Sequence, residues 1–331
     1  MEAFAEAHQA FGEACRAAGV VERSYTIGSW HIRLRFAGSA LVPRITPAFA
    51  HLPPGKHAEP ALTVCLWDAA STATRFPPLP TANGDESVHR RYLYRTAHQI
   101  GCVQPAEGAI SLLDPGASLA LYWVADAEGL PSYERAAPLR LILHWWMGGR
   151  GRPLVHAGAV GVAGRGVLLA GRGGSGKSTA ALGCLQAGLS YAGDDYVLVQ
   201  VDPSPFVHSL YSSGKVEASR ARTLAASAPA DEKVVLFLHE VYPERMSPGF
   251  SIEAVLLPRI TGRPGVRITP VPPVAVLAAL APTTIFQLPG AGQDTFDAIA
   301  RLVRRVPGYV LEMGPDIAAI PPVISRLLAV S

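Results

Sequence analysis

The chain has very little lysine, a mild charge balance and no long apolar run. Only four of its 29 basic residues are lysines, so arginine supplies almost all of the positive charge. With 26 acidic residues, a net charge of +3 and no basic stripe with interleaved aromatic residues, the sequence predicts no nucleic-acid partner. The longest apolar runs, such as Val274–Ala281, are far shorter than the ~20 residues that span a bilayer, so no membrane partner is expected.

Cysteine is also scarce. The four cysteines lie far apart in the sequence, at Cys15, Cys65, Cys102 and Cys184. They form no Cys-x-x-Cys pair, so neither a zinc site nor a disulfide framework is expected, and reduced thiols are typical of a cytoplasmic protein. The first residues carry acids at Glu2, Glu6 and Glu13 instead of a cationic start before an apolar core. We therefore expect no signal peptide.

Length and composition predict two domains. A chain of 331 residues is long for one compact domain, and a hydrophobic fraction of 49% supplies enough apolar surface for two cores. The best boundary is the glycine- and arginine-rich stretch Gly148–Pro153. We expect a mixed α+β N-terminal domain over residues 1–150, which would recognise the substrate, and an α/β catalytic domain over residues 151–331.

The first domain has mixed periodicity and no chemical motif. Residues 3–18 have a helical apolar period, and residues 76–90 have the composition of a loop. Strands are predicted at Trp30–Phe36, Leu62–Trp67 and Leu119–Val124. A helix is predicted over residues 132–147, stopped by Gly148 and Gly149, with Pro138 as a kink or as the start of its second half.

The second domain alternates strands and helices. Strands are predicted at 154–162, 166–170, 189–192, 196–201, 234–238 and 252–257, and helices at 177–187, 293–305 and 316–329. We find no internal repeat.

The strongest motif is the run Gly171-Arg172-Gly173-Gly174-Ser175-Gly176-Lys177-Ser178, which fits the G-x-x-x-x-G-K-[ST] pattern of a P-loop. Glycines let successive backbone N–H groups turn inward around a phosphate, and a following helix adds the positive end of its dipole. Lys177 would reach the terminal phosphates of ATP, and the Ser178 hydroxyl would ligate Mg²⁺. The apolar strand before the run and the helix after it, which begins Lys177-Ser178-Thr179, agree with this function. The alternative is a glycine-rich turn with an incidental lysine.

Two acids follow the next predicted strand. Gly193 breaks the strand just before Asp194 and Asp195, which allows both carboxylates to face one site. Adjacent buried carboxylates repel each other unless a cation such as nucleotide-bound Mg²⁺ compensates. The alternative is a solvated turn. His156 lies on the strand before the P-loop strand, where a single histidine is more often a hydrogen-bonded core residue.

Lys215 and Arg259 are further candidates for contacts with substrate or phosphate. Lys215 is one of the four lysines and lies in a predicted glycine/serine turn, and Arg259 follows a predicted strand. For both residues the alternative is a solvated side chain.

His156, the P-loop and the Asp194-Asp195 pair together resemble the HPr kinase/phosphorylase family, whose catalytic domain has a relative in phosphoenolpyruvate carboxykinase. The resemblance covers residues 153–201. It includes the spacings of 21 positions from His156 to Lys177 and 18 from Lys177 to Asp195. It implies an α/β P-loop kinase domain of that type, in which His156 and Lys177 are catalytic. It also implies that Asp195 accepts the proton of a substrate serine and that Ser178 helps to hold Mg²⁺.

The sequence departs from the bifunctional members of that family. Thr179 stands where they carry a glutamate, and their acidic and basic downstream segment is matched only by Lys215 and Glu217 in the stretch Tyr211–Glu217. Phosphorylase activity is therefore not expected. The helix from Pro138 to Trp146 and the segment Leu210–Lys215 resemble the HPr-kinase-like proteins encoded with lasso peptide precursors. That branch implies phosphorylation of a serine at the end of a precursor peptide.

The sequence thus favours an ATP- and Mg²⁺-dependent kinase acting on a serine of a peptide or small protein. Asp194 would hold Mg²⁺ with Ser178, and Asp195 would act as the base. Two alternatives stay open: a small-molecule or carboxykinase-like enzyme, and a nucleotide-dependent switch without phosphotransfer. HPr kinases are hexamers, so the resemblance makes a homo-oligomer possible.

Overall fold

The computed structural model describes residues 2–55, 59–79, 86–87, 91–216, 234–290 and 292–330. Its contacts divide the chain into two units. Unit 1 comprises Met1–Trp146 with Leu288–Gly290, and unit 2 comprises Met147–Gln287 with Ala291–Ser331. The division falls close to the expected glycine-rich boundary, but three residues from far along the chain belong to unit 1. Which unit recognises a substrate stays a prediction.

Unit 1 is built on a mixed sheet. Its strands are β1 (Val20–Ile27), β2 (Trp30–Ala37), β3 (Leu62–Asp68), β4 (Glu86–Ser87), β5 (Arg91–Arg95), β6 (Ile100–Gln104), β7 (Ala109–Asp114) and β8 (Leu119–Val124). They are ordered β1-β2-β3-β8-β7-β6-β5-β4. The strand β3 pairs in parallel with β2 and with β8, whereas the other neighbours are antiparallel. The strands expected at Trp30, Leu62 and Leu119 are confirmed.

Unit 1 contains one long helix and several short ones. They are α1 (Glu2–Ala18), α2 (Val42–Ile45), α3 (Ala69–Thr72), α4 (Ser132–Ala136) and α5 (Arg140–Gly148), with short 3₁₀ turns at Thr46–Phe49 and Pro105–Glu107. The helix α1 packs Phe4 and Phe11 against a core that includes Trp67 and Leu112. The helix predicted over 132–147 is two helices, because Pro138 cannot donate a backbone hydrogen bond and the next residue, Leu139, has a positive φ of 59°.

Unit 2 contains a larger mixed sheet. Its strands are β9 (Leu154–Val155), β10 (Gly158–Val162), β11 (Arg165–Leu169), β12 (Ser190–Gly193), β13 (Val197–Gln200), β14 (Phe206–His208), β17 (Gly249–Ile260), β18 (Val266–Val271) and β19 (Gly308–Met313). The order is β12-β10-β11-β17-β14-β13-β9, and β19 pairs with both β17 and β18. The strands β15 (Ser213–Val216) and β16 (Val234–Phe237) form a separate antiparallel pair.

Helices cover both faces of the large sheet. They are α6 (Lys177–Gln186), α7 (Leu238–Val241), α8 (Pro273–Ile285), α9 (Gly292–Arg305) and α10 (Ile320–Val330), with 3₁₀ turns at Pro243–Arg245 and Ile317–Ala319. Side chains alternate along β11: Leu168 packs in a core with α8 and α9, whereas Val167 and Leu169 pack in a core with α6 and α10. The coarse expectation of an α/β chain is therefore confirmed.

Two predicted elements of unit 2 differ from the structure. The strand expected over 154–162 is interrupted, because β9 ends at Val155 and β10 begins at Gly158, which places His156 between strands. Lys215 was expected in a turn, but it lies on β15, where its backbone is paired with Val235. The helix α8 was not predicted, since its continuously apolar sequence has no helical alternation to distinguish it from a buried strand.

Within the described ranges, no helix combines the length and the apolar character needed to cross a membrane.

Candidate active site

Three neighbouring strands bring the predicted site residues to one edge of the sheet in unit 2. The strand β10 lies between β11 and β12, with Gly158 opposite Leu169 and Ala159 opposite Gly193. His156 comes two residues before β10, the glycine loop (Gly171–Gly176) begins two residues after β11, and Asp194 follows β12 directly. Because neighbouring strands lie about 4.8 Å apart, the three segments leave the sheet side by side.

The glycine loop joins β11 to the first turn of α6. Gly176 is the residue before the helix and has a φ of 103°, and a Cβ there would lie 2.3 Å from the Cε atom of Met313. Gly173 lies beside open space, since a Cβ built on it would have no neighbouring heavy atom within 4 Å. The first N–H groups of α6 have no partners within the helix, and they carry the positive end of its dipole. The loop therefore combines a narrow turn, open space and backbone donors.

Lys177 is the first residue of α6, and its side chain is folded back along the loop. Its Nζ atom donates hydrogen bonds to the backbone oxygens of Gly171, at 2.7 Å, and Arg172, at 3.3 Å. Lys177 is only 7% exposed, so its ammonium is a buried cation that the loop carbonyls stabilise. Ser178 and Thr179 follow in the same helical turn and are half-buried.

Asp194 and Asp195 lie where β12 has ended, as the sequence argument required. Asp194 is buried at 4% exposure, and the Asp195 side chain is 23% exposed. Burial, and then the charges of Asp194 and Asp195, raise the pKa of the Tyr191 phenol well above its ordinary value. Both carboxylates therefore act on the same buried phenol, and a nearby cation would relieve the repulsion between them.

His156 contacts residues from two distant parts of the chain, one around Asp195 and the other around Gln287. Its Nε2 atom lies 3.0 Å from Oδ1 of Asp195, and its Nδ1 atom lies 3.5 Å from Nε2 of Gln287. Its backbone N–H donates to Oγ1 of Thr284, at 3.0 Å, on α8. Its ring also contacts that of Tyr196, with 5.4 Å between the centroids. His156 is thus a buried residue with a polar contact at each ring nitrogen, and it directly contacts one of the two acids.

For two of the remaining candidates the structure gives the strand on which they lie, and the third lies outside the described residues. Arg259 is exposed, near the end of β17, where its backbone is paired with that of Glu312 on β19. The backbone of Lys215 lies on β15, and Glu217 lies outside the described residues. Their roles stay predictions.

Sequence reasoning did not find Thr284, Tyr196 and Gln287. Tyr196 directly follows the two acids, and its hydroxyl donates a hydrogen bond of 2.6 Å to Oε1 of Gln287. Thr284 and Gln287 are 128 and 131 positions from His156 in the sequence. Nothing in the local sequence pattern could have linked them, because their approach depends on how α8 packs on the sheet.

The residues present fit a magnesium nucleotide. The glycine loop and Lys177 are donors suited to phosphate oxygens, and the Asp194 carboxylate and the Ser178 hydroxyl are ligands suited to Mg²⁺. Within the described part of the chain, no group of three or more His, Cys, Asp or Glu side chains could hold a metal by itself. Magnesium that arrives with a nucleotide needs only one or two protein carboxylates, since phosphates and water complete its coordination.

Comparisons of the sequence with known proteins find no match. No protein-family model matches the chain, and no curated protein matches it. Among solved structures, the chain matches that of the Hpr(Ser) kinase/phosphatase from Coxiella burnetii. The match has 12% sequence identity and covers 53% of this chain and 88% of that one, with a TM-score of 0.32. A TM-score this low does not establish a shared fold.

Proposed function

We propose that this chain is an ATP-dependent kinase that transfers the γ-phosphoryl group to a serine hydroxyl of a peptide or small protein. One observation carries the proposal. The register of β12, β10 and β11 brings a glycine loop with a buried lysine and a histidine-bound carboxylate to the same edge of one sheet. Phosphoryl transfer needs these two components together: donors for the phosphates and an acceptor for the proton of the attacking hydroxyl.

The glycine loop and the first turn of α6 would hold the nucleotide. Backbone N–H groups of Gly171–Gly176 would donate to phosphate oxygens, and Lys177 would exchange its carbonyl partners for the terminal phosphates. Ser178 and Asp194 would hold Mg²⁺, with Thr179 beside them. When bound, Mg·ATP supplies the phosphoryl group and the charge that neutralises the two acids. In this proposal the chain is a P-loop kinase of the HPr kinase and phosphoenolpyruvate carboxykinase type.

Asp195 is the residue that we propose as the base. Its carboxylate is partly exposed, so a substrate hydroxyl can reach it, and His156 fixes its orientation through the 3.0 Å contact. A base held in this way accepts the hydroxyl proton as the new oxygen–phosphorus bond forms, an effect of about 10²–10⁴-fold on rate. The remaining acceleration comes from positioning and charge neutralisation by Lys177 and the loop.

The acceptor that we propose in particular is the C-terminal serine of a lasso peptide precursor. The support for this branch is the sequence resemblance of the segments Pro138–Trp146 and Leu210–Lys215. In this proposal unit 1 would recognise the peptide, and the enzyme would be cytoplasmic and could act as a homo-oligomer.

The test compares Asp195→Asn with the wild-type chain, using radiolabelled ATP and peptides that end in serine. The variant keeps the shape of the side chain and can still accept a hydrogen bond from His156, but it cannot take up a proton. We expect transfer to fall by about 10²–10⁴-fold while the affinity for Mg·ATP is unchanged. Asp297→Asn, an exposed acid of α9 that accepts a hydrogen bond from Gln293, is the matched control and should keep full activity.

The same assay separates the other possibilities. Transfer to small hydroxyl compounds but to no peptide would replace the peptide kinase with a metabolite kinase. Binding of Mg·ATP with no transfer to any acceptor, and no effect of Asp195→Asn, would indicate a nucleotide switch. Peptides whose terminal serine is replaced by alanine test the lasso precursor assignment, because they should not be labelled.

A further inference from the structure

Gln287 and Tyr196 form a chain of hydrogen bonds that ends on His156. The Tyr196 hydroxyl donates to Oε1 of Gln287 at 2.6 Å, which turns the amide nitrogen of Gln287 towards the histidine. That nitrogen lies 3.5 Å from Nδ1 of His156, and Nε2 of His156 lies 3.0 Å from Oδ1 of Asp195. We call these four residues the histidine network.

The direction of the first hydrogen bond determines the others. A glutamine amide nitrogen can only donate, so Nδ1 of His156 must offer its lone pair and cannot carry a proton while this contact is made. A neutral imidazole carries one ring proton, which must then lie on Nε2. The Nε2–H group faces the Asp195 carboxylate, which can only accept. Each of the three contacts in the network therefore pairs one donor with one acceptor in a single arrangement.

A doubly protonated histidine does not fit this arrangement. Its Nδ1–H would face the N–H groups of the Gln287 amide, which places two donors against each other. The Asp195 carboxylate can accept from Nε2–H in either form of the ring, so only the Gln287 amide distinguishes the two forms. Tyr196 keeps the Gln287 amide in this orientation, because a rotated amide would lose the 2.6 Å hydrogen bond from the phenol.

From this geometry we infer that Gln287 and Tyr196 are positioning residues that orient the His156 ring with its proton on Nε2, so that His156 donates a hydrogen bond to the Asp195 carboxylate. The consequence for catalysis rests on the proposed function, whereas the tautomer does not. The backbone hydrogen bond from His156 to Thr284 supports the same arrangement, because it ties the residue to α8, whose C-terminal end leads directly to Gln287.

The tautomer can be measured without any activity. Two-bond ¹H–¹⁵N correlation spectra of the full-length protein distinguish Nδ1–H, Nε2–H and doubly protonated rings, and His156→Asn assigns the signal. We expect the Nε2–H pattern near neutral pH in the wild type. In Gln287→Glu, a carboxylate that can only accept replaces the amide, so the ring should carry a proton on Nδ1. An Nδ1–H or doubly protonated ring in the wild type would overturn the inference, whether or not the variant folds.

Activity provides the second readout. Gln287→Glu should lower kcat for phosphotransfer by about 10–100-fold with an unchanged KM for ATP, since it disturbs the proton acceptor and not the glycine loop. Tyr196→Phe keeps the ring contact but loses the hydroxyl, and it should have a smaller effect in the same direction. Unfolded protein lowers the apparent kcat without changing KM, so kcat is calculated per folded protein as measured by circular dichroism, and the His156 ring signal distinguishes positioning from unfolding.

The chain offers a matched control in another glutamine–histidine pair. Oε1 of Gln200 lies 3.3 Å from Nε2 of His208 in unit 2, so Gln200→Glu makes the same chemical change beside a different histidine. It should leave the His156 signal and kcat unchanged. If the wild type shows the Nε2–H tautomer but transfers no phosphate, the kinase proposal fails and the tautomer stands. If transfer occurs and Gln287→Glu changes neither the spectrum nor kcat, the inference fails alone.

Discussion

The glycines of the loop are required for different physical reasons. Gly176 has a left-handed backbone at φ 103°, which strains any residue that carries a Cβ, so its requirement is structural. Gly173 does not have this restriction, and the space around its missing Cβ is open. That open space lies on the loop that we propose as the phosphate site. One glycine therefore shapes the loop, and the other leaves room for a ligand.

Alanine substitutions at these two glycines should separate the two reasons. Gly176→Ala should lower the free energy of unfolding by about 1–3 kcal/mol, the cost of a strained backbone. Gly173→Ala should leave stability unchanged and weaken Mg·ATP binding, because the new methyl group occupies the open space. Urea unfolding followed by circular dichroism and titration calorimetry measure the two effects. Equal losses of stability in both variants would contradict this distinction.

The helix α9 illustrates which interactions hold an element on the sheet. Its buried residues Ile299 and Leu302 pack in the core with α8, and its exposed face carries Arg301 and Arg305. Both arginines bond the Asp202 carboxylate, at 2.6 and 2.8 Å, but the Asp202 side chain is 60% exposed. Solvent-exposed ion pairs contribute little to the free energy of unfolding, whereas buried leucine side chains contribute much.

We expect the apolar contact to dominate the stability of α9. Leu302→Ala should lower the free energy of unfolding by about 2–5 kcal/mol, because it removes a fully buried side chain and leaves a cavity. Asp202→Ala should cost no more than about 1 kcal/mol, although it removes two ion pairs. Urea unfolding of the two variants followed by circular dichroism gives the comparison. A larger effect for Asp202→Ala would show that the ion pairs hold the helix.

Acid should weaken both units, because each contains a histidine kept neutral by its surroundings. Burial lowers the pKa of His144 in unit 1 to about 4, and burial together with Arg152 lowers that of His208 in unit 2 to about 4. Above pH 6.5 these histidines are neutral in both the folded and the unfolded chain and contribute nothing to pH dependence. Between pH 6.5 and 4 the unfolded chain takes up a proton that the folded chain does not, so stability falls.

His144→Gln should remove this sensitivity from unit 1. In the wild type, His144 alone should lower the free energy of unfolding by about 2 kcal/mol between pH 7 and pH 5, and the variant should lack that part of the slope. All tryptophans of the chain lie between Trp30 and Trp146, within unit 1, so tryptophan fluorescence during urea unfolding reports on this unit. An unchanged slope in the variant would mean that other groups govern the acid response.

Local features of this protein could be predicted from sequence because they depend on neighbouring residues. The strand entering the glycine loop, the start of α6 at Lys177 and the end of β12 before Asp194 are all encoded within a few positions. Glycine and proline act on their own backbone, which is why Gly148 ends α5 and Pro138 separates α4 from α5. The strand β8 has the bounds expected from its composition.

Features that depend on distant segments could not be predicted in this way. The order β12-β10-β11 decides that His156 and Asp195 lie together, and the packing of α8 decides that Thr284 and Gln287 reach the histidine. Such contacts join residues between 39 and 131 positions apart, and no local pattern specifies them. Residue types alone thus indicated the chemistry of the loop, the lysine and the acids. The histidine's partners, and with them its tautomer, were decided by the packing of a helix on a sheet.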